Sequence, residues 1–326
     1  MNLLMEKLPV VDISGLFGSD DHHKSLIADE LGHVFHQYGF VGVKGHHLPK
    51  HLISKVREQV VAFFALPMED KLNLSIRPNN YRGYIPLRFF TPNAKRHDAD
   101  NYEGYKLHFE VDSADPIRNL CALYGPNRWP SQRPGLQEVV SEYWRHCDRI
   151  TSSILRALAS HLAIPYELFD RAFEKPLTNM TLLKYPAMPL DDASFGIHPH
   201  KDTDVLTILA PDKVGGLFLK PLGAQDWLEA KVPADTLIVN VGDMLETWSN
   251  GYFISTPHKV ENKRGLERYS FPYFAVPRYD TVIEPLTVVD SPMPTLGSAG
   301  EISRKIWHSN WPDAAPIDDA LDPYSR

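Results

Sequence analysis

Apolar positions recur every three to four residues through the first half of the chain and in short β-rich runs through the second. Residues 8–13 (LPVVDI) read as a short strand. Ile27, Leu31, Val34, Phe35 and Tyr38 then share one side of a helix that starts after the acidic pair Asp20 and Asp21. Gly39 fits as its stop, and residues 40–43 fit a second strand. A second helix opens near Pro49, with Leu52, Val56, Val60, Phe63 and Phe64 on one side. Residues 76–100 carry Pro, Asn, Gly and aromatics without a period and read as a loop or ragged strand. A long helix follows Pro134 and Gly135, its buried stripe running through Val139, Val140, Tyr143, Trp144, Cys147, Ile150, Ile154, Leu158 and Leu162.

After residue 176 the texture changes. Strand-like runs fall at 180–185, 205–210, 216–220, 236–241 and 269–276, separated by turn residues such as Gly215, Gly216, Gly223, Asn250 and Gly251. Many short strands without intervening helices predict an antiparallel sandwich or barrel and argue against a parallel βαβ sheet. The expectation is an α+β protein in which a helical front half packs on a β-roll. The divisions fall at 1–175, 176–285 and 286–326 within one compact unit.

Composition narrows the function classes. The chain has 326 residues, 43% hydrophobic, enough for a sizeable core. A formal net charge of -7 lacks the basic face that phosphate backbones require, so no nucleic-acid partner is expected. No apolar run approaches about 18 residues, so no membrane partner is expected either. Two cysteines, Cys121 and Cys147, are too few for a disulfide framework and fit a reducing compartment. A cytoplasmic protein, monomeric or weakly homo-oligomeric and acting on a small molecule, is the expectation.

Candidate chemistry sits in the run GIHPHKDTDVLTIL. His200 and Asp202 stand two residues apart, so on or beside a strand their side chains share a face. His258, in STPHKV, lies 56 residues after Asp202. Two imidazoles and one carboxylate make a facial triad that leaves the opposite coordination face open, which suits Fe(II). Ten residues past His258 comes Arg268, then Ser270, again sharing a strand face. A guanidinium fork with a nearby hydroxyl can hold a carboxylate through charge-assisted hydrogen bonds, and Tyr185 could add a phenolic donor.

On these residues the chain resembles the isopenicillin N synthase-like family of Fe(II)- and 2-oxoglutarate-dependent oxygenases. LPVVDI and YGFVGVKGH look like the family's N-terminal segment. GIHPHKDTDVLTIL, VGGLFLK, DTLIVNVGDMLETWSNG, STPHKV and RYSFPYF look like successive strands of its double-stranded β-helix, or jelly roll. The resemblance makes His200, Asp202 and His258 the iron ligands and Arg268 with Ser270 the carboxylate pair, joined by Tyr185. It implies Fe(II), 2-oxoglutarate and O2 as cofactor and cosubstrates, with release of succinate and CO2 as a small molecule is hydroxylated, desaturated or cyclised. Two departures stand out: Lys201 where the family usually has Thr, and Leu183 where many plant members have Asn.

Several other residues invite a role. His198 lies near the triad but reads as a loop residue, and Asp204 lacks the H-x-D spacing. The pairs His22–His23 and His46–His47 read as exposed turns, and Arg82 and Arg88 as solvated. Tyr84, Phe109 and Phe274 are the candidates for the substrate cavity. Three rival readings use the same ligands. An oxidase with its substrate's carboxylate on Arg268 needs no 2-oxoglutarate. A zinc hydrolase works without oxygen. A β-roll binding module that has lost its metal turns nothing over.

Overall fold

The computed structural model describes residues 7–78, 80–90, 99–189, 194–262, 265–287 and 291–311. The front half holds β1 (Val10–Asp12), α1 (Asp21–Tyr38), β2 (Phe40–Lys44), α2 (Leu52–Phe64), α3 (Met68–Leu72), β3 (Gly83–Ile85), β4 (Glu103–His108), α4 (Ile117–Leu120), α5 (Pro134–His161) and α6 (Glu167–Ala172). There follow β5 (Asn179–Tyr185), β6 (Ile197–His200), β7 (Leu206–Leu209), β8 (Leu217–Leu219), β9 (Leu228–Glu229), β10 (Leu237–Val241) and α7 (Asp243–Trp248). The chain continues through β11 (His258–Val260), β12 (Arg268–Ser270), β13 (Tyr273–Ala275), β14 (Val282–Ile283), β15 (Gly297–Ser298) and α8 (Ala299–Asn310).

Local chemistry sets the helix ends. Asp20 caps α1 by accepting from the His23 N–H at 3.1 Å, and Gly39 ends it at φ 65°, a left-handed conformation that glycine adopts without strain. Pro134 opens α5, where its missing N–H leaves no bond unmade.

Among the described residues nine strands form one sheet, ordered β1-β2-β10-β7-β13-β5-β4-β3 with β12 also on β5, and β6-β11-β8-β9 form a second. The two sheets face each other as a jelly roll. Strand periodicity decides what each face meets. On β5, Leu183 and Tyr185 pack toward Leu217, Leu219 and Val260 of the second sheet. Met180 and Leu182 turn the other way, onto the core shared with α1, α2 and α5.

Several expectations change here. Helix α7 intervenes between β10 and β11, so the β-rich half is not free of helices. The strand expected over 269–276 is two strands, β12 and β13, because Pro272 between them has no N–H for a ladder. Strands β3 and β4 emerge from the aromatic-rich stretch. The seam expected near residue 176 runs through a single sheet, since β2 pairs with β10 and β4 with β5. Ser298 and Glu301 form a capping box that starts α8, whose Trp307 stacks on Tyr81 at 4.0 Å. No helix among the described residues is long and apolar enough to cross a membrane.

Candidate active site

His200 ends β6 and stands directly opposite His258 of β11 in the antiparallel ladder, which brings the two imidazole centroids to 4.2 Å. Their Nδ1 atoms face backbone carbonyls, of His198 at 2.8 Å for His200 and of Thr256 at 3.2 Å for His258. A carbonyl only accepts, so Nδ1 carries the proton and Nε2 is left with its lone pair. Both Nε2 atoms lie 3.6 Å from Asp202 Oδ1. One ligand atom from each of the three residues fits within 4.8 Å of the other two.

Asp202 is fixed from behind. Its Oδ2 accepts from Thr207 Oγ1 at 2.5 Å and Asn240 Nδ2 at 2.8 Å, two residues paired across β7 and β10. Its backbone carbonyl accepts the Asp243 N–H at 2.8 Å, and the Asp204 carbonyl accepts the Met244 N–H at 3.0 Å. The first turn of α7 thus clamps the loop that carries the carboxylate, leaving Oδ1 toward the imidazoles.

Charge at the site is tightly coupled. Burial pushes Asp202 up, yet the imidazoles of His258 and His200 and the Thr207 hydroxyl outweigh it and hold the carboxyl well below its usual range. Burial, then His200, push His258 down to about 4 against the pull of Asp202. For His200 burial acts downward, but the Asp202 carboxylate wins and holds it above the ordinary imidazole value. Thr207 has one hydroxyl proton and sits 2.8 Å from Asp204 Oδ2 as well. Burial and then the charge on Asp202 raise Asp204 well above its ordinary value, and the Thr207 hydroxyl lies between the two carboxyl groups.

A second polar cluster lies on β12. Arg268 and Ser270 are buried and stand opposite Tyr185 and Leu183 of β5. The Arg268 guanidinium lies 4.8 Å from the Tyr185 ring centroid, and its Nε donates to the Gly215 carbonyl at 2.7 Å. Its Nη1 is buried without a hydrogen-bond partner. A buried cation with an unused donor calls for an anion, since desolvated charge without a partner is costly. Burial pushes Tyr185 up to about 12, so its phenol stays protonated and able to donate. Beside the triad lies a cavity of about 220 Å3 whose wall includes Lys106, Phe274 and, from α8, Trp307.

Known proteins match this architecture. Residues 8–132 fit the model for the N-terminal region of non-haem dioxygenases in morphine synthesis, and residues 177–277 fit that of the 2OG-Fe(II) oxygenase superfamily. The 2-oxoglutarate-Fe(II) type oxidoreductase hxnY of Emericella nidulans is 30% identical over 280 residues, covering 82% of this chain and 78% of that protein. The chain belongs to the 2OG-Fe(II) oxygenase superfamily. A full-length Neurospora crassa protein solved in complex with alpha-KG superposes with a TM-score of 0.78 at 25% identity, covering 91% of this chain and 95% of that one. JOX2 in complex with 2OG, Fe and JA does so at 0.75 and 25% identity, covering 91% and 84%. This oxygenase therefore uses Fe(II), 2-oxoglutarate and O2.

The site residues expected of a 2OG-Fe(II) oxygenase divide cleanly. His200, Asp202 and His258 converge, and Arg268, Ser270 and Tyr185 gather. Phe274 lines the cavity, but Tyr84 and Phe109 do not. Ile85 faces the cavity, so strand alternation sends the adjacent Tyr84 to the far side, where its hydroxyl donates to Glu103 at 2.7 Å. Phe109 is out of step with Lys106 by an odd number of residues and lines a separate cavity with Asp148 and Tyr273. His198 is a buried strand residue, and its Nδ1 pairs with Asp100 at 2.7 Å. His46 is buried as well, its Nδ1 accepting the Leu48 N–H at 3.1 Å and its Nε2 lying 3.2 Å from the Asp235 carbonyl. Arg82 is buried and donates to the Leu123 carbonyl at 2.8 Å, whereas Arg88 is exposed. Lys201 reaches Glu246 of α7 at 3.1 Å, so its charge is met there.

Sequence reasoning missed Thr207, Asn240 and Lys106. A lone Asn in the apolar run LIVNV was a legible signal, as was a Lys in the alternating EGYKLH.

Proposed function

We propose that His200, Asp202 and His258 hold the Fe(II) of this 2OG-Fe(II) oxygenase and that Arg268, with Ser270 and Tyr185, receives the distal carboxylate of 2-oxoglutarate. The observation that carries the reading is the convergence of both Nε2 atoms on Asp202 Oδ1 at 3.6 Å while every other polar atom of the three side chains is already engaged. Two imidazoles whose Nδ1 atoms are engaged elsewhere and a carboxylate of low proton affinity suit a divalent cation, whose binding displaces any proton on Nε2. The unpartnered Nη1 of Arg268 supports a carboxylate there.

Iron, when bound, supplies the redox chemistry that couples decarboxylation of 2-oxoglutarate to oxidation of a substrate by O2. The chain's own work is positional. Thr207 and Asn240 keep Asp202 turned toward the imidazoles, and α7 holds its loop. Arg268 orients the cosubstrate by charge, while Tyr185 and Ser270 offer hydroxyl donors. Phe274 and Trp307 line the substrate side and exclude water. The placement of the target carbon in that cavity decides between hydroxylation, desaturation and ring closure. Free Cys121 and Cys147 support a reducing setting, the cytoplasm, for this chemistry.

The test measures iron content and succinate release for the wild type and Asp202→Ala. Stoichiometric Fe(II) and 2-oxoglutarate-dependent succinate release, both lost in the variant, are expected. Full iron content and turnover in Asp202→Ala would overturn the ligand assignment, and oxygen uptake indifferent to 2-oxoglutarate would overturn the role of Arg268.

A further inference from the structure

Among the described residues one cation lining the cavity has no carboxylate paired with it. Lys106 stands on β4 opposite Thr181 of β5, and its Nζ donates to Asn179 Oδ1 at 2.6 Å and Thr181 Oγ1 at 3.0 Å. Both acceptors are neutral, and an ammonium has three N–H bonds. Other enclosed lysines are paired: Lys71 with Glu103 at 2.9 Å, Lys201 with Glu246 at 3.1 Å and Lys259 with Glu261 at 2.6 Å. Among the described residues no carboxylate lies within ion-pair distance of Lys106. The rings of Phe274 and Trp307, with centroids 5.2 and 5.4 Å from Nζ, flank it. Burial pushes the amine down to about 7, against the upward pull of the more distant Asp204 and Asp202, neither of which pairs with it directly.

The cosubstrate does not fill that need. Lys106 is level with Thr181 and Arg268 with Tyr185, four residues along the same face of β5. At about 3.4 Å per residue this is roughly 14 Å. The carboxyl carbons of 2-oxoglutarate stand only about 5 Å apart, from four bonds of about 1.5 Å. A molecule reaching from Arg268 to the metal ends short of Lys106. The lysine therefore faces whatever shares the cavity with His200 and Asp202.

We propose that the primary substrate is a small organic acid with an apolar or planar body, whose carboxylate pairs with Lys106 and whose body lies against Phe274 and Trp307, presenting a C–H to the metal. This rests on the assignment of His200, Asp202 and His258 as the iron site. One ammonium matches one carboxylate, and the neutral Asn179 and Thr181 position it without competing for the anion.

The test uses wild type loaded with Mn(II) in place of Fe(II), so that no turnover occurs, and saturated with 2-oxoglutarate. Calorimetry compares propanoate, hexanoate, benzoate, phenylacetate and 3-phenylpropanoate, each against its own primary amide, in the wild type and in Lys106→Met. At least one acid is expected to bind ten-fold or more tightly than its amide, with the preference gone in Lys106→Met. If every acid binds no better than its amide, or none binds, the proposal falls whether or not the variant folds. It falls also if a folded Lys106→Met keeps the preference. Wild type that fails to bind Mn(II) and 2-oxoglutarate overturns the metal-site assignment instead. Wild type that binds both but treats acid and amide alike overturns only the role of Lys106.

Discussion

Replacing Arg268 by methionine keeps most of the side chain's length and removes its charge. In the protein without 2-oxoglutarate, the loss of the Nε bond to the Gly215 carbonyl, 2.7 Å long, costs about 1 kcal/mol. The lost contact with the Tyr185 ring adds about 1 kcal/mol. Removing a buried cation whose Nη1 has no partner works in the opposite direction, by a similar amount. Free-protein stability should therefore move little. With cosubstrate present the picture changes, because truncating one side of an enclosed charge pair costs about 2–5 kcal/mol, or roughly 30- to 5000-fold in affinity. At a concentration 100 times its dissociation constant, 2-oxoglutarate stabilises the wild type by about 2.7 kcal/mol. For 326 residues that corresponds to a rise in Tm of about 4 °C. At the same concentration the variant should gain about 1 °C or less. Thermal unfolding of the Mn(II)-loaded proteins, with and without 2-oxoglutarate, measures all four values. An equal rise in both proteins would refute the carboxylate role, and a large loss in the free variant would make Arg268 a structural residue.

Asn240→Ala should weaken metal affinity about 10- to 100-fold with the fold intact, because Asp202 Oδ2 loses its 2.8 Å bond and the carboxylate its fixed aim; a metal titration giving unchanged affinity would count against that. In Gly242→Ala the new Cβ would meet the Asp204 carbonyl oxygen at 2.2 Å, displacing the loop that carries Asp202. A loss of about 1–3 kcal/mol by urea denaturation, with reduced turnover, is expected, and wild-type stability with full activity would contradict it. Burial pushes Lys106 down to about 7 in the folded protein, from the ordinary lysine value of 10.5 that it has when unfolded. Between those values the unfolded chain binds the proton that the folded one has lost, so wild-type stability rises with pH. Lys106→Met lacks that slope. Its advantage over substrate-free wild type should shrink by about 1–2 kcal/mol from pH 7 to 9 after allowance for screening, and a constant difference would show that the amine is not desolvated.

Much of the fold was legible because local rules dominate it. The stripes over α1, α2 and α5 and the runs behind β5, β7, β8 and β10 are periodicities that any burial against a core imposes. Helix α7 was missed because its six residues, DMLETW, are too few to display a period. Helix α8 lies in the 286–326 division, where no element was named from the sequence, although Ser298 followed by Glu301 is a capping signal readable there. The family resemblance and an aromatic-rich stretch pointed Tyr84 at the cavity, and the parity of β3 places Ile85 there instead.

The amino-acid order by itself singled out the residues to which the chemistry is here proposed to belong: an H-x-D, a later His and an R-x-S, each pair set on one face by the two-residue strand period. Only the tertiary structure decided which of them meet. The register of β11 on β6 sets His258 against His200, and the pairing of β7 with β10 puts Thr207 and Asn240 behind Asp202. The packing of α8 brings Trp307 to the cavity that holds Lys106. Spacing along a chain fixes direction within one strand. Contact between strands depends on ladder register and sheet packing, which arise from the whole core at once.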